Sequence, residues 1–477
     1  MSQTASASLS IQLPDLPSLT RCFELRANKS CRSVALASES RFLDLSSDNP
    51  ISLSNAERAL LSSAKIGLLS GLCFPTCDPP QLRFLTDFMT LLTFAHERLS
   101  HARNPTESGW EGLRSQTTDS SSTDSKLAEG VKPKSTARSG VDVLEKHELF
   151  KYLIHDLTQF CSRAPLSWHA RLSLSTLTYH RAQLASLNPP DGTNPNVLES
   201  FISLRKNTTG AHIIFDLVEL ALGHKSLEDK DMAGISNATG SDDVDDIDVD
   251  DDDDDDDESL GIARIFLLHA LDTLRDLAAE IVALSTDVVS YAKFQSARAQ
   301  QHPPPDHIPH NVVMVCMLTR NLSAQGAINI VMKRLKERIR AFLELEQCLH
   351  TLRDSEPSAG RLLSLSSYSY SYSYSWILDS IKLVGKAIMN APGSGGSLSD
   401  QQQQQETPLI KSLCSLRPSA GLSQLIRDLD ASVRVLRDYI AGHIHWFYET
   451  EFYFGSKGED VKAFGWVFLN VEMSGTN

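Results

Sequence analysis

The stretch that decides the fold lies at residues 81–101, QLRFLTDFMTLLTFAHERLSH. Its apolar residues recur at steps of three and four positions, as Leu82, Leu85, Phe88 and Leu92 show. This spacing places them on one face of an α-helix, so the stretch predicts an amphipathic helix with one buried face. The same pattern predicts further helices over residues 142–162, 166–186, 195–205, 259–300, 311–321, 323–352 and 419–449.

Strand patterns are scarce in this chain. The regular alternation SYSYSYSYS at residues 367–375 reflects the repetition of serine and favours disorder over sheet. No glycine-rich phosphate loop accompanies the helices. The sequence therefore predicts an all-α protein.

Three segments bury too little apolar surface to offset the entropy of ordering. Residues 104–140 are rich in Ser and Thr, residues 226–258 end in an acidic tract, and residues 363–407 combine the Ser-Tyr repeat with QQQQQ. We predict that all three are disordered insertions. The rest predicts one domain over residues 11–456, with a disordered N-terminus at 1–10 and a tail at 457–477.

Charge and cysteine usage exclude several classes of protein. The net charge is −15, but residues 242–258 hold fourteen acidic residues, so the remainder is near neutral and no nucleic acid partner is expected. No run of eighteen apolar residues exists, so no membrane span is expected. The eight scattered cysteines form no CxxC pair, which predicts reduced thiols in a cytoplasmic protein.

Four segments in order carry a family resemblance. They are Gly71–Ser100, Phe201–Glu219 with RKNTTG, Thr286–Gln295 with TDVVSYAKFQ, and Trp446–Gly455 with WFYETEFYFG. Their order, and their spacing once the insertions are removed, resemble the class I terpene synthases of fungi, in particular the sesquiterpene synthases of mushroom-forming species. In that family the segments carry an aspartate-rich motif, R-R-x-T-x-G, N-D-x-x-S-x-x-x-E and a terminal R-Y.

The resemblance implies a class I terpene synthase-like helical bundle around a central apolar pocket. It implies a lyase that binds a prenyl diphosphate, nominally farnesyl diphosphate, ionises it with Mg²⁺ and cyclises the carbocation in the pocket. Aromatic side chains could line that pocket through cation–π contacts, with plain core packing as the alternative. The aromatic candidates are Phe88, Phe94, Trp446, Phe447 and Tyr448.

The third segment shows the logic of the metal site. Positions 286, 290 and 294 are spaced by four residues and share one helical face. The family has Asn, Ser and Glu at these positions, and all three are oxygen donors. This chain has Thr286, Ser290 and Phe294, so two neutral hydroxyls remain and the carboxylate is lost. Asp287 lies about 100° around the helix and should not substitute directly.

The first segment retains one carboxylate at the motif positions. His96 stands where the family has its leading aspartate, Glu97 follows, and Ser100 occupies the last acidic position. Imidazole is a poor ligand for magnesium, so Glu97 joins Thr286 and Ser290 as the metal candidates. The alternative is a solvated carboxylate at the helix end.

The remaining candidates would bind the diphosphate. Arg205 and Lys206 occupy the paired-arginine position, and the sequence leaves open which of them faces the site. Gly210 could supply the helix break that follows them. Near the C-terminus Tyr453 is retained, while Phe452 stands where the family has arginine.

Two functional hypotheses follow. The first is a terpene synthase-family enzyme acting on farnesyl diphosphate. The second is an impaired or inactive paralogue that binds a prenyl ligand or a partner, because losing one transition-state electrostatic contact typically costs ~2.7–4 kcal/mol. Four such positions are altered here, at residues 96, 100, 294 and 452.

Overall fold

The computed structural model of the protein is built almost entirely of helices. Its α-helices account for most of the described residues, and the described strands form one short two-stranded sheet. The all-α prediction is therefore confirmed. The structure describes residues 9–43, 53–102, 109–110, 140–187, 197–223, 254–300, 311–354 and 420–469.

Ten of the described α-helices belong to the first half of the chain. A 3₁₀ turn at Phe150–Leu153 precedes α7. The helices are α1 Leu16–Leu19, α2 Cys31–Leu43, α3 Asn55–Ala64, α4 Ile66–Cys73, α5 Pro79–His101, α6 Gly140–Glu145, α7 Ile154–Cys161, α8 Leu166–Ser186, α9 Val197–Thr208 and α10 Ala211–Ala221.

The single helix predicted over residues 142–162 is wrong in its middle. There the chain turns between α6 and the 3₁₀ segment, and the backbone N–H of Leu149 donates to Nδ1 of His147 at 3.1 Å. A side chain that captures a backbone N–H competes with the helical hydrogen bond. The apolar spacing continues through this turn, so periodicity alone did not reveal the break.

Longer helices make up the second half. They are α11 Asp254–Gln300, α12 Val312–Arg320, α13 Ala324–Asp354, α14 Ala420–Glu449, α15 Glu451–Phe454 and α16 Gly458–Phe464. Helix α11 begins inside the acidic tract, so the predicted insertion at 226–258 is wrong at its end. Carboxylates in the first turn of a helix are stabilised by the helix dipole, which accounts for the earlier start.

The two ends of the described chain pair with each other. Strand β1, Leu9–Gln12, is antiparallel to strand β2, Trp466–Leu469, with Leu9 opposite Leu469. The prediction of a disordered segment at 1–10 is therefore wrong for residues 9–10, and the predicted C-terminal tail at 457–477 contains α16 and β2. Strands of four residues whose partner lies at the other end of the chain leave almost no periodic signal.

The predicted insertion at 104–140 is wrong at Trp110, which is 3% exposed. Its Nε1–H donates to Oε1 of Gln183 at 3.3 Å, and its ring lies 4.6 Å from that of His147 and 4.2 Å from that of His180. Residues 103–108 and 111–139 lie outside the described residues, as does the predicted insertion at 363–407.

The chain divides into two compact units. The first comprises residues 1–224, 275–341 and 434–477, and the second comprises residues 225–274 and 342–433. The sequence predicts one domain over 11–456, and that boundary stays a prediction. Of the eight cysteines the structure describes seven, and these are free thiols. No helix among the described residues has both the length and the apolar character needed to cross a membrane.

Candidate functional site

Helix α5 carries the first candidate residue, Glu97, in its last turns. The helix starts at Pro79, and Asp78 and Gln81 form a capping box, in which the backbone N–H of Asp78 donates to Oε1 of Gln81 at 3.0 Å. The face predicted to be buried is buried, since Leu82 and Leu85 are fully enclosed. Glu97 itself remains partly exposed.

A buried ion pair joins α9 to α11. Arg205 is 5% exposed and Asp287 is fully buried. The guanidinium donates from Nε to both carboxylate oxygens of Asp287, at 3.2 and 3.1 Å, and from NH2 to Oδ1 at 2.6 Å. Its NH1 donates to Oγ1 of Thr208 at 2.9 Å. Burial acts to lower the pKa of Arg205, but the charge and hydrogen bonds of Asp287 outweigh it and raise that pKa.

Asp287 also holds the start of α12. Its Oδ2 accepts the backbone N–H of Val312 at 2.7 Å. Asn311 caps the same helix, since its Oδ1 accepts from Val313 N at 2.8 Å, and its Nδ2–H₂ donates to Asp287 O at 2.7 Å. Asp287 therefore anchors both α9 and α12. Both of its carboxylate oxygens accept hydrogen bonds from protein groups.

Gly210 makes the break between α9 and α10, as the sequence indicates. It adopts φ +70°, the left-handed conformation that glycine enters without a steric penalty. A Cβ at this position would lie 2.8 Å from Cδ2 of Leu92. Arg205 is thereby placed one turn before a fixed bend of the backbone.

Replacing Gly210 with alanine is expected to destabilise the protein by about 2–3 kcal/mol, because left-handed strain adds to the clash with Leu92. Gly223→Ala is the matched control, since Gly223 has φ +64° and open space around the added Cβ. It should lose only about 1–2 kcal/mol. Equal shifts of the urea midpoint in the two variants would contradict the role given to Leu92.

A lysine that the sequence analysis did not select meets Glu97. The Nζ of Lys293, on α11, lies 3.5 Å from Oε2 of Glu97. It also lies 3.6 Å from the centroid of the Phe452 ring on α15, within the range of a cation–π contact. Three of the motif segments therefore meet at one ammonium group. Its place next to Phe294 in the third motif is the signal that could have identified it.

Tyr453 directly follows Phe452, and the centroids of the two rings lie 4.7 Å apart. Its ring packs edge-on against Phe447, with centroids 5.3 Å apart. Burial, with added effects of Glu97 and Asp287, raises the pKa of the Tyr453 phenol, while Arg205 acts in the opposite direction. The hydroxyl therefore stays protonated at neutral pH and can donate a hydrogen bond. We call Glu97, Arg205, Asp287, Lys293 and Tyr453 the candidate site.

Lys206 is not brought to the candidate site. Its Nζ pairs with Oδ2 of Asp276 at 2.9 Å, and Nε2 of His212 lies 2.9 Å from the other oxygen of that carboxylate. Burial alone would raise the pKa of Asp276, but His212 and Lys206 hold it at about 2. The sequence left open which of Arg205 and Lys206 faces the site. In the structure Arg205 is the residue that pairs with Asp287 of the candidate site.

The residues predicted to bind a metal do not form a donor set in the described chain. Thr286 donates its hydroxyl to Val282 O at 2.8 Å, and Ser290 Oγ accepts from Asn311 Nδ2 at 3.2 Å. Glu97 is paired with Lys293. Among the described residues, no group of three or more His, Cys, Asp or Glu side chains could hold a metal ion. Divalent magnesium requires several converging oxygens, so these residues do not fit it.

A second buried charged cluster lies on α10, at residues that none of the quoted motif positions includes. Asp216 is fully buried and accepts hydrogen bonds from Arg171 Nε at 3.0 Å, from Arg275 and from Ser175 Oγ at 2.6 Å. Glu219 accepts from NH2 of Arg171 at 2.8 Å. The two carboxylates thereby tie α10 to Arg171 and Ser175 of α8 and to Arg275 of α11.

A cavity of about 570 Å³ lies elsewhere, between β1, α13 and α16. Gln12, Lys333, Tyr448 and Phe464 are among its lining residues, and none of the candidate site lines it. The aromatic residues proposed for a central pocket are buried, with Phe88 and Phe447 fully enclosed. A central apolar pocket therefore stays a prediction.

Comparison with known proteins finds similarity to terpene synthases. Residues 263–341, which include the third motif segment, match the family model described as terpene synthase family 2, C-terminal metal binding. Sesquiterpene synthase Agr1 of Cyclocybe aegerita is 24% identical over 454 residues, which cover 95% of this chain and 91% of that protein. Sesquiterpene synthase 6 of Postia placenta is 21% identical over 468 residues, which cover 97% and 96%.

Among solved structures, the crystal structure of a-eudesmol synthase has 11% identity and a TM-score of 0.47, over 90% of this chain and 97% of that one. The family model and the two fungal proteins confirm the resemblance found in the four motif segments. This chain is therefore similar to the terpene synthases, in particular to two sesquiterpene synthases of basidiomycete fungi.

Proposed function

We propose that this protein is a terpene synthase of the sesquiterpene cyclase type, with a prenyl diphosphate of farnesyl length as its substrate. The observation that carries the proposal is a set of contacts that links all four motif segments. Lys293 contacts Glu97 and the Phe452 ring, which lies beside that of Tyr453, and Arg205 pairs with Asp287 on the same helix as Lys293. Two fungal sesquiterpene synthases aligned over nearly the whole chain support the same function. We also propose a cytoplasmic location for the reaction.

Each side chain of the candidate site has a distinct task in this proposal. Asp287 holds the Arg205 guanidinium in place as a fixed hydrogen-bond donor, and the protonated phenol of Tyr453 can donate to a phosphate oxygen. Trp446 is buried, and its ring lies edge-on to that of Tyr453 with centroids 5.5 Å apart, so it helps to fix the position of the phenol. Magnesium is the ion that the resemblance implies, but Glu97, Thr286 and Ser290 do not fit it, so we derive no step through a metal.

The test is turnover of farnesyl diphosphate by the purified protein. Cyclic C15 hydrocarbon in the headspace, measured by gas chromatography, together with release of pyrophosphate is the expected result. Geranyl and geranylgeranyl diphosphate, assayed in parallel with and without Mg²⁺, determine the preferred chain length and the metal requirement. Absence of both products with every substrate and metal condition would overturn the enzymatic function.

One observation favours a second candidate, a prenyl-binding protein without turnover. The Thr286 and Ser290 hydroxyls are engaged within the protein, and Glu97 is neutralised by Lys293. A protein of this kind would bind farnesyl diphosphate, as measured by calorimetry, and would leave it intact. Hydrocarbon formation would exclude this candidate.

A further inference from the structure

The cavity between β1, α13 and α16 has the size of a small-molecule site and lies apart from the candidate site. Its volume of about 570 Å³ falls within the roughly 300–1,000 Å³ that is typical of ligand pockets. Its lining residues fall within 12–15, 325–336 and 448–465, and all three ranges belong to the first compact unit. The cavity shares no lining residue with the candidate site, so its occupant is a question separate from the proposed reaction.

The walls of this cavity are held in place by the protein's own hydrogen bonds. The backbone N–H of Gln12 donates to Oε1 of Gln325 at 2.9 Å, and Nε2 of Gln325 donates back to the backbone oxygen of Gln12 at 3.1 Å. The backbone N–H of Leu13 donates to Gly465 O at 2.6 Å. Leu13 and Met332 are buried and give the cavity an apolar wall. A wall that is already ordered reduces the entropy that a ligand loses on binding.

Two lysines of α13 give the cavity positive charge that the protein does not compensate. Lys333 and Lys336 both line it, and their spacing of three residues places them on one face of the helix. Neither lysine pairs with a carboxylate of the residues that the structure describes. By contrast, Arg334 and Arg338 of the same helix donate to Oε1 of Glu280 at 2.9 and 2.8 Å. The basic residues that face the cavity therefore keep their charge for a ligand.

The other charged residues of the lining are already engaged. Nζ of Lys462 pairs with Oε1 of Glu449 at 2.9 Å. Asp15 caps α1, where its Oδ1 accepts the backbone N–H of Ser18 at 2.9 Å. The carboxylate of Asp15 offsets one of the two ammonium groups of α13, so a singly charged anion completes the balance and a diphosphate exceeds it.

The hydroxyl of Tyr448 adds a hydrogen-bond donor to the wall. Tyr448 is 4% exposed, and its ring stacks on that of Phe454 with centroids 5.6 Å apart. Burial, with an added effect of Asp15, raises the pKa of the phenol, so the hydroxyl is protonated at neutral pH. Within the part of the chain that the structure describes, this hydroxyl makes no hydrogen bond. A buried polar group without a partner is unfavourable, and an acceptor in the cavity would satisfy it.

We infer that this cavity binds an amphipathic monocarboxylate. The carboxylate lies against Lys333, Lys336 and the Tyr448 hydroxyl, and the aliphatic part packs on Leu13 and Met332. The inference goes beyond the proposed function, because it involves no bond formation or cleavage and no residue of the candidate site.

Calorimetric titration of the full chain with octanoate tests the inference. The wild type should bind a single molecule per chain, and Lys333→Met with Lys336→Met should lose at least about tenfold in affinity, the equivalent of 1.4 kcal/mol. Lys333→Arg with Lys336→Arg keeps both charges and should stay within about threefold of wild type. Lys29→Met with Lys151→Met, at two exposed lysines outside the cavity, is the matched control and should stay within about twofold. No wild-type binding, or equal affinities of wild type and the Lys333/Lys336 methionine variant, would overturn the inference.

Tyr448→Phe and two further probes test the remaining parts of the site. The substitution removes the hydroxyl and keeps the ring that stacks on Phe454, so octanoate affinity should fall by about three- to tenfold. 1-Octanol, which has the same chain without the charge, and acetate, which lacks most of the chain, should each bind at least about tenfold more weakly than octanoate. Octanol binding as tight as that of octanoate would show that the lysines do not select an anion and would overturn the inference.

Discussion

Replacing Asp287 with asparagine is expected to destabilise the protein by about 3–5 kcal/mol. The substitution removes the negative charge that compensates Arg205 in a site where the aspartate side chain is fully buried and the arginine side chain is 6% exposed. It also weakens the hydrogen bond that Oδ2 of residue 287 accepts from the backbone N–H of Val312, the first residue of α12. The urea midpoint of the unit containing both residues, followed by circular dichroism, measures the loss.

Asp276→Asn is the matched control for this experiment. Asp276 lies on the same helix and also pairs with a basic residue, Lys206, but its side chain is 54% exposed. Water screens such a pair, so the change should cost less than about 1 kcal/mol. Losses of equal size in the two variants would show that the Arg205–Asp287 pair is not the anchor described here.

Acidification from pH 7 to pH 5 is expected to remove about 2 kcal/mol of stability for each of two buried histidines. Burial lowers the pKa of both His180 and His443 to about 4, from an ordinary value of 6.5. The folded state keeps each ring neutral, while the unfolded chain takes up a proton once the pH falls below about 6.5. The unfolded state then binds more protons, so stability decreases with falling pH until about pH 4.

Variants with neutral side chains isolate this effect. His443→Gln and His180→Gln should each flatten the dependence of the unfolding free energy on pH between 7 and 5. His155→Gln should leave it unchanged, since the His155 side chain is 90% exposed. Buried carboxyl groups contribute equally to the wild type and the variants and cancel in the comparison. A wild-type pH slope in His443→Gln would contradict the proposed neutral state.

Periodicity predicted the long helices well because burial of one face dictates their spacing. Helix α8 has the predicted bounds 166–186, and α5 begins two residues earlier than predicted because Pro79 and Pro80 suit its first turn. What periodicity missed depends on partners distant in sequence. Trp110 is held by Gln183, seventy-three residues away, and no local pattern encodes that contact.

The motif order predicted part of the candidate site. Glu97, Arg205 and Tyr453 were selected from the resemblance, and the structure gathers all three. Lys293 was missed because it stands inside the third motif segment at a position that N-D-x-x-S-x-x-x-E leaves unspecified, and its contact with Glu97 depends on the fold. The choice between Arg205 and Lys206 likewise required the position of Asp287.

The pairing of β1 with β2 constrains the order of folding during protein synthesis. Leu9 leaves the ribosome 460 residues before its partner, Leu469. At about 5–20 residues per second, the first strand therefore waits roughly 20–90 s without its partner. During that interval its open edge is exposed to other nascent chains, so cellular yield should depend on how well chaperones shield this segment.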